Sequence, residues 1–282
     1  MLYLSLKLVA IDLDATLLRD DKSYDMDRFD HVVRELMKQG VTFMIASGND
    51  NKKITSYLSE STLNKVYLAG CNGNDVELAG EHIHTNYFSQ DALLQISDIV
   101  DADDDYQLLL NTQKGTYSKY IYEKDQDYIS IYYKHITTLS SYNELPENEG
   151  PIKAAILSAK SLSDTKKLMT TIINDVDGVT SVTSGGGWLD VYHEDGGKGS
   201  AVEWLQKTKG ITPAETIAFG DSLNDSSMMP FAKYSVAMQN GDDEFKSFCD
   251  YEIGTNEEQS VISTLEAFLT TGNLEFMEQY KK

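Results

Sequence analysis

Residues 6–18, which read LKLVAIDLDATLL, decide the fold that we expect for this chain. The first half, residues 6–11, is rich in Leu, Val and Ile, and such a run predicts a strand that is buried on both faces. The run stops at Asp12 and Asp14, so two carboxylates follow the predicted strand. Ligands of an open parallel sheet bind beyond the carboxyl ends of its strands, which makes both carboxylates candidate functional groups.

The chain after this stretch alternates between helix and strand patterns. Apolar residues recur at helical spacing over residues 29–37, and residues 41–46 predict a second buried strand that ends in Ser47 and Gly48. A shorter helical stretch leads to a third predicted strand at residues 66–69. Strands that alternate with helices in this way are typical of a parallel sheet with crossover helices.

The pattern changes in the middle of the chain. One helix is predicted soon after residue 85, and another near residues 168–173. Strand-like runs, several of them rich in tyrosine, are predicted at residues 106–110, 116–122, 128–133 and 154–158, before a glycine-rich turn at 185–187. Doubly wound character returns after Lys198, with a helix and two further strands.

We therefore predict an α/β fold with two parts, which suits a chain of 282 residues. Residues 1–84 and 190–282 are expected to form a Rossmann-like, doubly wound parallel sheet domain. Residues 85–189 are expected to form an inserted α+β domain.

Composition limits the partners and the compartment. The formal net charge of -21 makes nucleic acid or an anionic membrane surface an unsuitable partner. No apolar run reaches the roughly 18 residues of a membrane span. The two cysteines, Cys71 and Cys249, lack metal-ligand spacing and do not predict a disulfide framework. We expect a cytoplasmic protein, monomeric or weakly dimeric.

Three of the predicted strands end in polar residues that the sheet would bring to one edge. These residues are Asp12, Asp14 and Thr16, then Ser47 and Gly48, then Asp221, Asn224 and Asp225. Four carboxylates at short range repel one another, so either a cation offsets the repulsion or the carboxylates lie apart. Carboxylate and carbonyl oxygens without a nearby His or Cys favour magnesium over zinc. Mg²⁺ is therefore the cofactor that these ligands predict if a cation is bound.

Four motifs carry a resemblance to a known family. The stretch DLDATLL that starts at Asp12 resembles the first motif of the haloacid dehalogenase-like phosphatases, and Ser47 after FMIA resembles the second. Lys198-Gly199 resembles the third motif, and GDSLND, which ends at Asp225, resembles the fourth. Their order and separation are similar to the Cof-type subfamily, which has a C2-type cap inserted between the second and third motifs.

The resemblance implies a role for each motif residue. Asp12 would be the nucleophile that forms an aspartyl-phosphate, and Asp14 the general acid that protonates the leaving alcohol and then the base that activates water. Lys198 would neutralise the nucleophile and the transferring group. The implied metal ligands are Asp12, Asp14 through its carbonyl, Asp221, and Asp225 either directly or through water. The implied substrate-binding residues are Thr16, which braces its loop, Ser47, Gly48, Lys198 and Asn224.

The predicted activity is hydrolysis of a small phosphorylated metabolite, with sugar phosphates as the leading class. Two alternatives stay open: a phosphomutase of the same superfamily, and a non-catalytic sensor of phosphate ligands. Structural roles also stay open, namely Ser47 as a helix N-cap, Lys198 as a solvated lysine and the Asn72-Gly73 pair as a turn.

Three residues depart from the family pattern or interrupt an expected element. Ala15 replaces the usual glycine, so a positive φ at this position would be strained. Asn49 stands where the family often has an arginine. Pro230 lies within the helix expected after Asp225, which should therefore be short or kinked.

Overall fold

The computed structural model describes residues 6–183 and 187–282. The chain divides into two compact units, one made of the residues up to Ile83 together with Lys198–Lys282, and the other of His84–Gly197. Most of the glycine-rich turn predicted at 185–187 lies outside the described residues. None of the helices in the described ranges is long and apolar enough to cross a membrane.

The described residues form fourteen strands and a set of mostly short helices. The strands are β1 (Leu8–Ile11), β2 (Thr42–Ala46), β3 (Tyr67–Ala69), β4 (Asp75–Leu78), β5 (Glu81–Thr85), β6 (Tyr106–Asn111), β7 (Thr116–Ser118), β8 (Ile136–Thr138), β9 (Lys153–Ser158), β10 (Val179–Thr183), β11 (Trp188–His193), β12 (Thr216–Gly220), β13 (Tyr234–Met238) and β14 (Tyr251–Ile253). The α-helices are Met26–Lys38, Asn51–Thr55, Glu60–Leu63, Gln90–Asp101, Gln126–Tyr132, Leu162–Asp175, Lys198–Lys209, Asp243–Lys246 and Ser260–Thr271. The 3₁₀ segments are Glu123–Asp125, Tyr142–Glu144, Pro213–Glu215, Leu223–Phe231 and Glu275–Tyr280.

The larger sheet has the order β14-β13-β12-β1-β2-β3-β4-β5. The six strands from β14 to β3 are parallel, and β4 is antiparallel to β3. The chain passes from β1 to β2 on one side and returns later as β12 on the other, so the strand order reverses between β1 and β12. Ile11 lies beside both Ile45 and Phe219, which brings the ends of three strands to this switch point. The predicted doubly wound α/β fold is confirmed.

Apolar side chains cover β1 on both faces. Val9 and Ile11 belong to one core cluster, with the helices Met26–Lys38 and Ser260–Thr271. Ala10 belongs to a second cluster, with the helix Lys198–Lys209. The first strand is therefore buried on both sides, as its composition predicts. Its position between two helical layers leaves its carboxyl end as the place where polar groups are exposed to ligand.

The smaller unit is built on a sheet of order β10-β11-β9-β6-β7-β8, in which only the pair of β7 and β8 is parallel. Leu108 and Leu110 of β6 face a cluster that includes the helices Gln90–Asp101 and Leu162–Asp175. Leu109, between them, faces a smaller cluster around Trp188. The unit is thus an α+β domain with its own core.

One predicted strand of this unit is a helix. Residues 128–133 were expected to be extended, since Tyr and Ile favour strands, but Gln126–Tyr132 is helical. Helical spacing places the rings of Tyr128 and Tyr132 at 5.5 Å from each other, and both rings pack on Trp188, at 6.3 and 5.7 Å between centroids. Packing on the tryptophan therefore outweighs the intrinsic preference of the tyrosines.

Two predicted boundaries also need correction. The strand expected over residues 116–122 ends at Ser118, because the Gln107 side chain binds the Tyr120 carbonyl and the Tyr122 N–H at 2.6 and 3.0 Å. The inserted unit continues to residue 197 rather than 189. The reason is β11, which pairs with β9 and β10 in the smaller sheet. Pro230 lies in a 3₁₀ segment, so the expectation of a short helix there is confirmed.

The loop after β1 contains the strained alanine. Ala15 has φ 56° and ψ 10°, in the left-handed region that disfavours a side chain. The N–H of Leu17 and the N–H of Leu18 donate to the carbonyls of Asp12 and Leu13, which closes the loop around Ala15. The strain expected at this position is confirmed.

We expect Ala15→Gly to raise the free energy of unfolding by about 0.5–1 kcal/mol, since glycine adopts positive φ without a steric penalty. Urea denaturation measures the change. Ala214→Gly is the control, because exposed Ala214 lies in a 3₁₀ segment and is not among the positive-φ residues. It should lower stability slightly. A loss of stability in both variants would contradict the account of Ala15.

Candidate active site

Asp12 lies at the carboxyl end of β1. Its backbone N–H donates to the carbonyl of Phe219 at 3.1 Å, which fixes the residue where β1 meets β12. The side chain is buried, and its Oδ1 accepts a hydrogen bond from Nζ of Lys198 at 2.6 Å. The fold thus joins the first and third sequence motifs at one carboxylate.

Lys198 is the cation of the site. It is the first residue of the helix Lys198–Lys209 and is only 1% exposed. Its ammonium lies between two carboxylates, at 2.6 Å from Asp12 Oδ1 and 2.5 Å from Asp225 Oδ1. The alternative of a solvated lysine is therefore wrong, because this ammonium has exchanged water for two buried anions.

Asp225 uses both carboxylate oxygens. While Oδ1 accepts from Lys198, Oδ2 accepts the backbone N–H groups of Asp221 and Ser222 at 3.0 and 3.2 Å. A Cβ on Gly220 would lie 2.6 Å from Asp225 Cβ, so only glycine allows this close approach. Asp225 therefore shapes the turn after β12 and positions the lysine as well.

Asp221 completes a group of carboxylates. Its Oδ1 accepts a hydrogen bond of 3.4 Å from the Thr16 hydroxyl, which links the loops after β1 and β12. Carboxylate oxygens of Asp12, Asp221 and Asp225 all lie within 4.8 Å of one another. The group offers oxygen ligands in a compact set, which is the chemistry that magnesium requires.

The protonation of the group reflects its crowded negative charge. Burial, reinforced by the charge of Asp225, raises the pKa of Asp12 well above its ordinary value. Burial and Asp225 likewise raise the pKa of Asp221 to about 7. Burial acts to lower the pKa of Lys198, but Asp12 and Asp225 outweigh it and raise that pKa. Lysine alone does not relieve the crowding, so the site is suited to a divalent cation.

The loop after β2 lies beside the turn that follows β3. The carbonyl of Ser47 accepts from the N–H of Asn72 at 2.8 Å. The Asn224 amide donates to Asn72 Oδ1 at 3.2 Å, and a Cβ on Gly48 would lie 3.4 Å from the same oxygen. Asn72 has φ 57°, so the predicted turn is confirmed. Asp50, not Ser47, caps the next helix, so the N-cap alternative for Ser47 is wrong.

Asp14 lies in the same loop as Asp12 but contacts other residues. Its Oδ1 accepts from Nζ of Lys22 at 2.6 Å and its Oδ2 from the Asn49 amide at 2.8 Å. Asn49 also donates to Ser47 Oγ, from its backbone at 3.1 Å and from its side chain at 3.2 Å. Burial acts to lower the pKa of Lys22, but the hydrogen bond and the charge of Asp14, together with the nearby Tyr57 and Asp12, outweigh it and raise that pKa.

The predicted site residues thus fall into linked groups. Asp12, Lys198, Asp221 and Asp225 form one group, to which Thr16 is bonded. The remaining predicted residues are linked by side chains that the sequence analysis missed or ranked low. Asn49 links Asp14 to Ser47, and Asn72 links Asn224 to the loop of Ser47 and Gly48. Lys22 was missed because it lies in a polar loop with no motif. Asn72 was interpreted first as a turn residue, with a role facing the substrate ranked second, although the Asn-Gly pair directly after the third strand was a usable signal.

Comparisons with known proteins find relatives over nearly the whole chain. The family described as haloacid dehalogenase-like hydrolase matches residues 9–265. A 5-amino-6-(5-phospho-D-ribitylamino)uracil phosphatase of Escherichia coli is 26% identical over 268 residues, which cover 94% of this chain and 97% of the relative. A Bacillus subtilis phosphatase with the same substrate in its name is also 26% identical, over 93% of this chain and 97% of its own length.

Solved structures show the same fold. A Streptococcus mutans protein superposes with a TM-score of 0.86 at 24% identity, over 95% of this chain and 100% of its own. A haloacid dehalogenase-like hydrolase from B. subtilis gives a TM-score of 0.81 at 22% identity, over 92% and 99% of the two chains. The prediction of a phosphatase of this superfamily is confirmed, and the chain belongs to the haloacid dehalogenase-like hydrolases.

Proposed function

We propose that this phosphatase hydrolyses small phosphate monoesters with Mg²⁺ as cofactor, through an aspartyl-phosphate on Asp12. The supporting observation is the buried Asp12 carboxylate, with Lys198 Nζ at 2.6 Å and the Asp221 carboxylate within 4.8 Å. Phosphoryl transfer depends on positioning and charge neutralisation, and this arrangement supplies both.

The residues would act in two steps. In the first, an oxygen of Asp12 attacks phosphorus while Asp14 gives a proton to the leaving alcohol. In the second, Asp14 takes a proton from the water that attacks the aspartyl-phosphate. Lys198 would neutralise the nucleophile and the transferring group. Ser47 and the N–H of Gly48 would bind phosphate oxygens, and Asn224 would orient them.

Mg²⁺ would be held mainly by Asp12, Asp221 and the Asp14 carbonyl. Both oxygens of Asp225 already accept hydrogen bonds, so Asp225 would act through a water molecule and by positioning Lys198. When bound, the ion supplies positive charge to the phosphoryl group during transfer. Thr16 would hold Asp221 in the orientation that the metal needs.

The substrate class is suggested by the relatives. Two of them are named for a substrate with a phosphorylated ribityl chain. Sugar or sugar-alcohol phosphates are therefore the leading substrate class for this chain. The substrate would be a small metabolite, and the enzyme would act on it in the cytoplasm. The inserted unit would select among them, and the enzyme would act as a monomer or a weak dimer.

We expect purified protein with Mg²⁺ to release phosphate from a panel of monoesters that includes sugar phosphates. Asp12→Asn should lower kcat by at least about 10³-fold, since it removes the nucleophile. Asp14→Asn should lower kcat by about 10²–10⁴-fold on alkyl esters. Asp243→Asn is the control, because the Asp243 side chain is exposed and its ion pair with Lys246 is 3.8 Å long.

The same experiment separates the alternatives. A phosphomutase would return the phosphoryl group to a sugar, so product analysis would find an isomeric ester instead of inorganic phosphate. A sensor would bind its ligand with Asp12→Asn as well as with the parent protein and would show no turnover. Absence of phosphate release by the parent from every monoester would refute the proposal.

The metal site should depend on pH. The folded-state pKa of Asp221, about 7 without metal, lies above the unfolded value. Its proton therefore stabilises the metal-free fold at low pH, and this contribution is lost as pH rises through about 7. Mg²⁺ displaces that proton, so its apparent affinity should fall about tenfold between about pH 8 and about pH 6. Calorimetric titration measures the affinity.

The control for this dependence is Asp221→Asn, which removes the titrating ligand. It should bind Mg²⁺ weakly at both pH values, with a flatter pH dependence of thermal stability. If the parent protein bound Mg²⁺ more tightly at about pH 6 than at about pH 8, the assignment of Asp221 as a metal ligand would be contradicted.

A further inference from the structure

Both oxygens of the Asp14 carboxylate have a side-chain donor. Lys22 Nζ lies 2.6 Å from Oδ1, and Asn49 Nδ2 lies 2.8 Å from Oδ2. The Asp14 side chain is 41% exposed, so without these partners it would rotate among several rotamers. Two donors on different oxygens leave it one orientation. Lys22 lies outside the four motifs, and Asn49 directly follows Ser47 and Gly48 of the second motif.

The loop that carries Lys22 is folded tightly. The N–H of Lys22 donates to the Arg19 carbonyl at 2.9 Å, and the N–H of Arg19 donates to the Ser23 carbonyl at 2.8 Å. Lys22 itself has φ 67°, a conformation that costs a residue with a side chain about 1–2 kcal/mol. A strained lysine whose ammonium reaches a proposed catalytic carboxylate indicates a functional constraint.

Asn49 connects Asp14 to the proposed phosphate-binding loop. Its amide donates both to Asp14 Oδ2 and to Ser47 Oγ, the latter at 3.2 Å. Its backbone N–H donates to the same hydroxyl oxygen at 3.1 Å. Ser47 Oγ keeps its own proton for a phosphate oxygen. The position of the Asp14 carboxylate is therefore tied to that of the Ser47 hydroxyl, the proposed phosphate-binding group.

We propose that Lys22 and Asn49 are positioning residues, which hold the Asp14 carboxylate in line for its two proton transfers. The inference rests on the proposed function. Proton transfer requires a distance of about 2.6–3.2 Å, and a misplacement of about 1 Å can slow a reaction by about 10²-fold. The two contacts supply this alignment through different oxygens of the carboxylate.

The two residues serve different steps. In the first step the Asp12 oxygen forms a bond to phosphorus and the ester P–O bond breaks. The leaving ester oxygen keeps the electron pair of that bond and takes the proton of Asp14. In the second step the water oxygen bonds to phosphorus, the bond to Asp12 breaks, and Asp14 receives the water proton. The Lys22 ammonium pairs with an ionised carboxylate, which is the form that starts the second step. The Asn49 amide can bond to either form.

The test compares p-nitrophenyl phosphate with a sugar phosphate. p-Nitrophenolate leaves without a proton, so kcat/KM for this ester reports phosphoryl transfer without Asp14 acting as an acid. We expect Lys22→Met to lower kcat about tenfold on both esters and to leave kcat/KM for p-nitrophenyl phosphate within about twofold of the parent. Rapid mixing should show a burst of p-nitrophenolate close to the enzyme concentration.

Asn49→Ala should lower kcat and kcat/KM on the sugar phosphate by about tenfold or more. Its kcat/KM on p-nitrophenyl phosphate should stay near the parent value, because the backbone N–H of residue 49 still donates to Ser47 Oγ. Lys22→Arg keeps the cation and should restore most of the kcat lost in Lys22→Met. Lys38→Met is the matched control, because Lys38 is an exposed lysine in an ion pair with Glu35 at 2.9 Å. Lys38→Met should have the same kcat and kcat/KM as the parent on both esters.

The outcomes separate this inference from the proposed function. Two results would overturn the positioning role alone. One is that the variants Lys22→Met and Asn49→Ala lose kcat/KM on p-nitrophenyl phosphate as strongly as they lose kcat. The other is that both variants keep the kcat of the parent. An inactive parent, or an Asp12→Asn variant as active as the parent, would overturn the proposed function and this inference with it.

Discussion

The buried contact of the Lys198 ammonium with two carboxylates is the interaction on which the rest of the site depends. Each ion would be costly to bury alone, and removal of one partner from such a group destabilises a protein by about 3–5 kcal/mol. The lysine is held at 2.6 Å from Asp12 and 2.5 Å from Asp225, in a place where water does not screen the charges. The excess of negative charge that remains makes the site suited to a cation.

This contact requires the doubly wound sheet. Asp12 follows β1, while Asp225 lies in the turn after β12, and the two strands are neighbours although more than 200 residues separate them in sequence. Parallel pairing puts their carboxyl ends at one edge, and the reversal of strand order opens a crevice there. The apolar clusters on both faces hold the strands in this register. Core packing therefore determines the distances between the charged groups.

Sequence reasoning worked where one physical rule decided the outcome. Buried strands, helix periodicity and polar strand ends predicted the sheet domain and brought Asp12, Asp221 and Asp225 to one place. Lys198 was assigned to the site only through the family resemblance. It failed where tertiary contacts compete with local preference, as for Tyr128 and Tyr132, which pack on Trp188 from a helix. Lys22 carries no periodicity or motif, so only its distance to Asp14 reveals it.

Backbone strain is concentrated in the loops that carry the site residues. Among the described residues, the non-glycine positions with positive φ are Ala15, Lys22, Cys71, Asn72, Ala79 and Gln259. Four of them lie in the loops after β1 and β3, and Gln259 donates to the Leu17 carbonyl from its side chain. Such conformations cost about 1–2 kcal/mol each, and they persist only where the surrounding packing holds them. The parallel sheet and its apolar clusters provide that packing, so loops that would relax in isolation keep the carboxylates, Lys198 and the Ser47 hydroxyl in place.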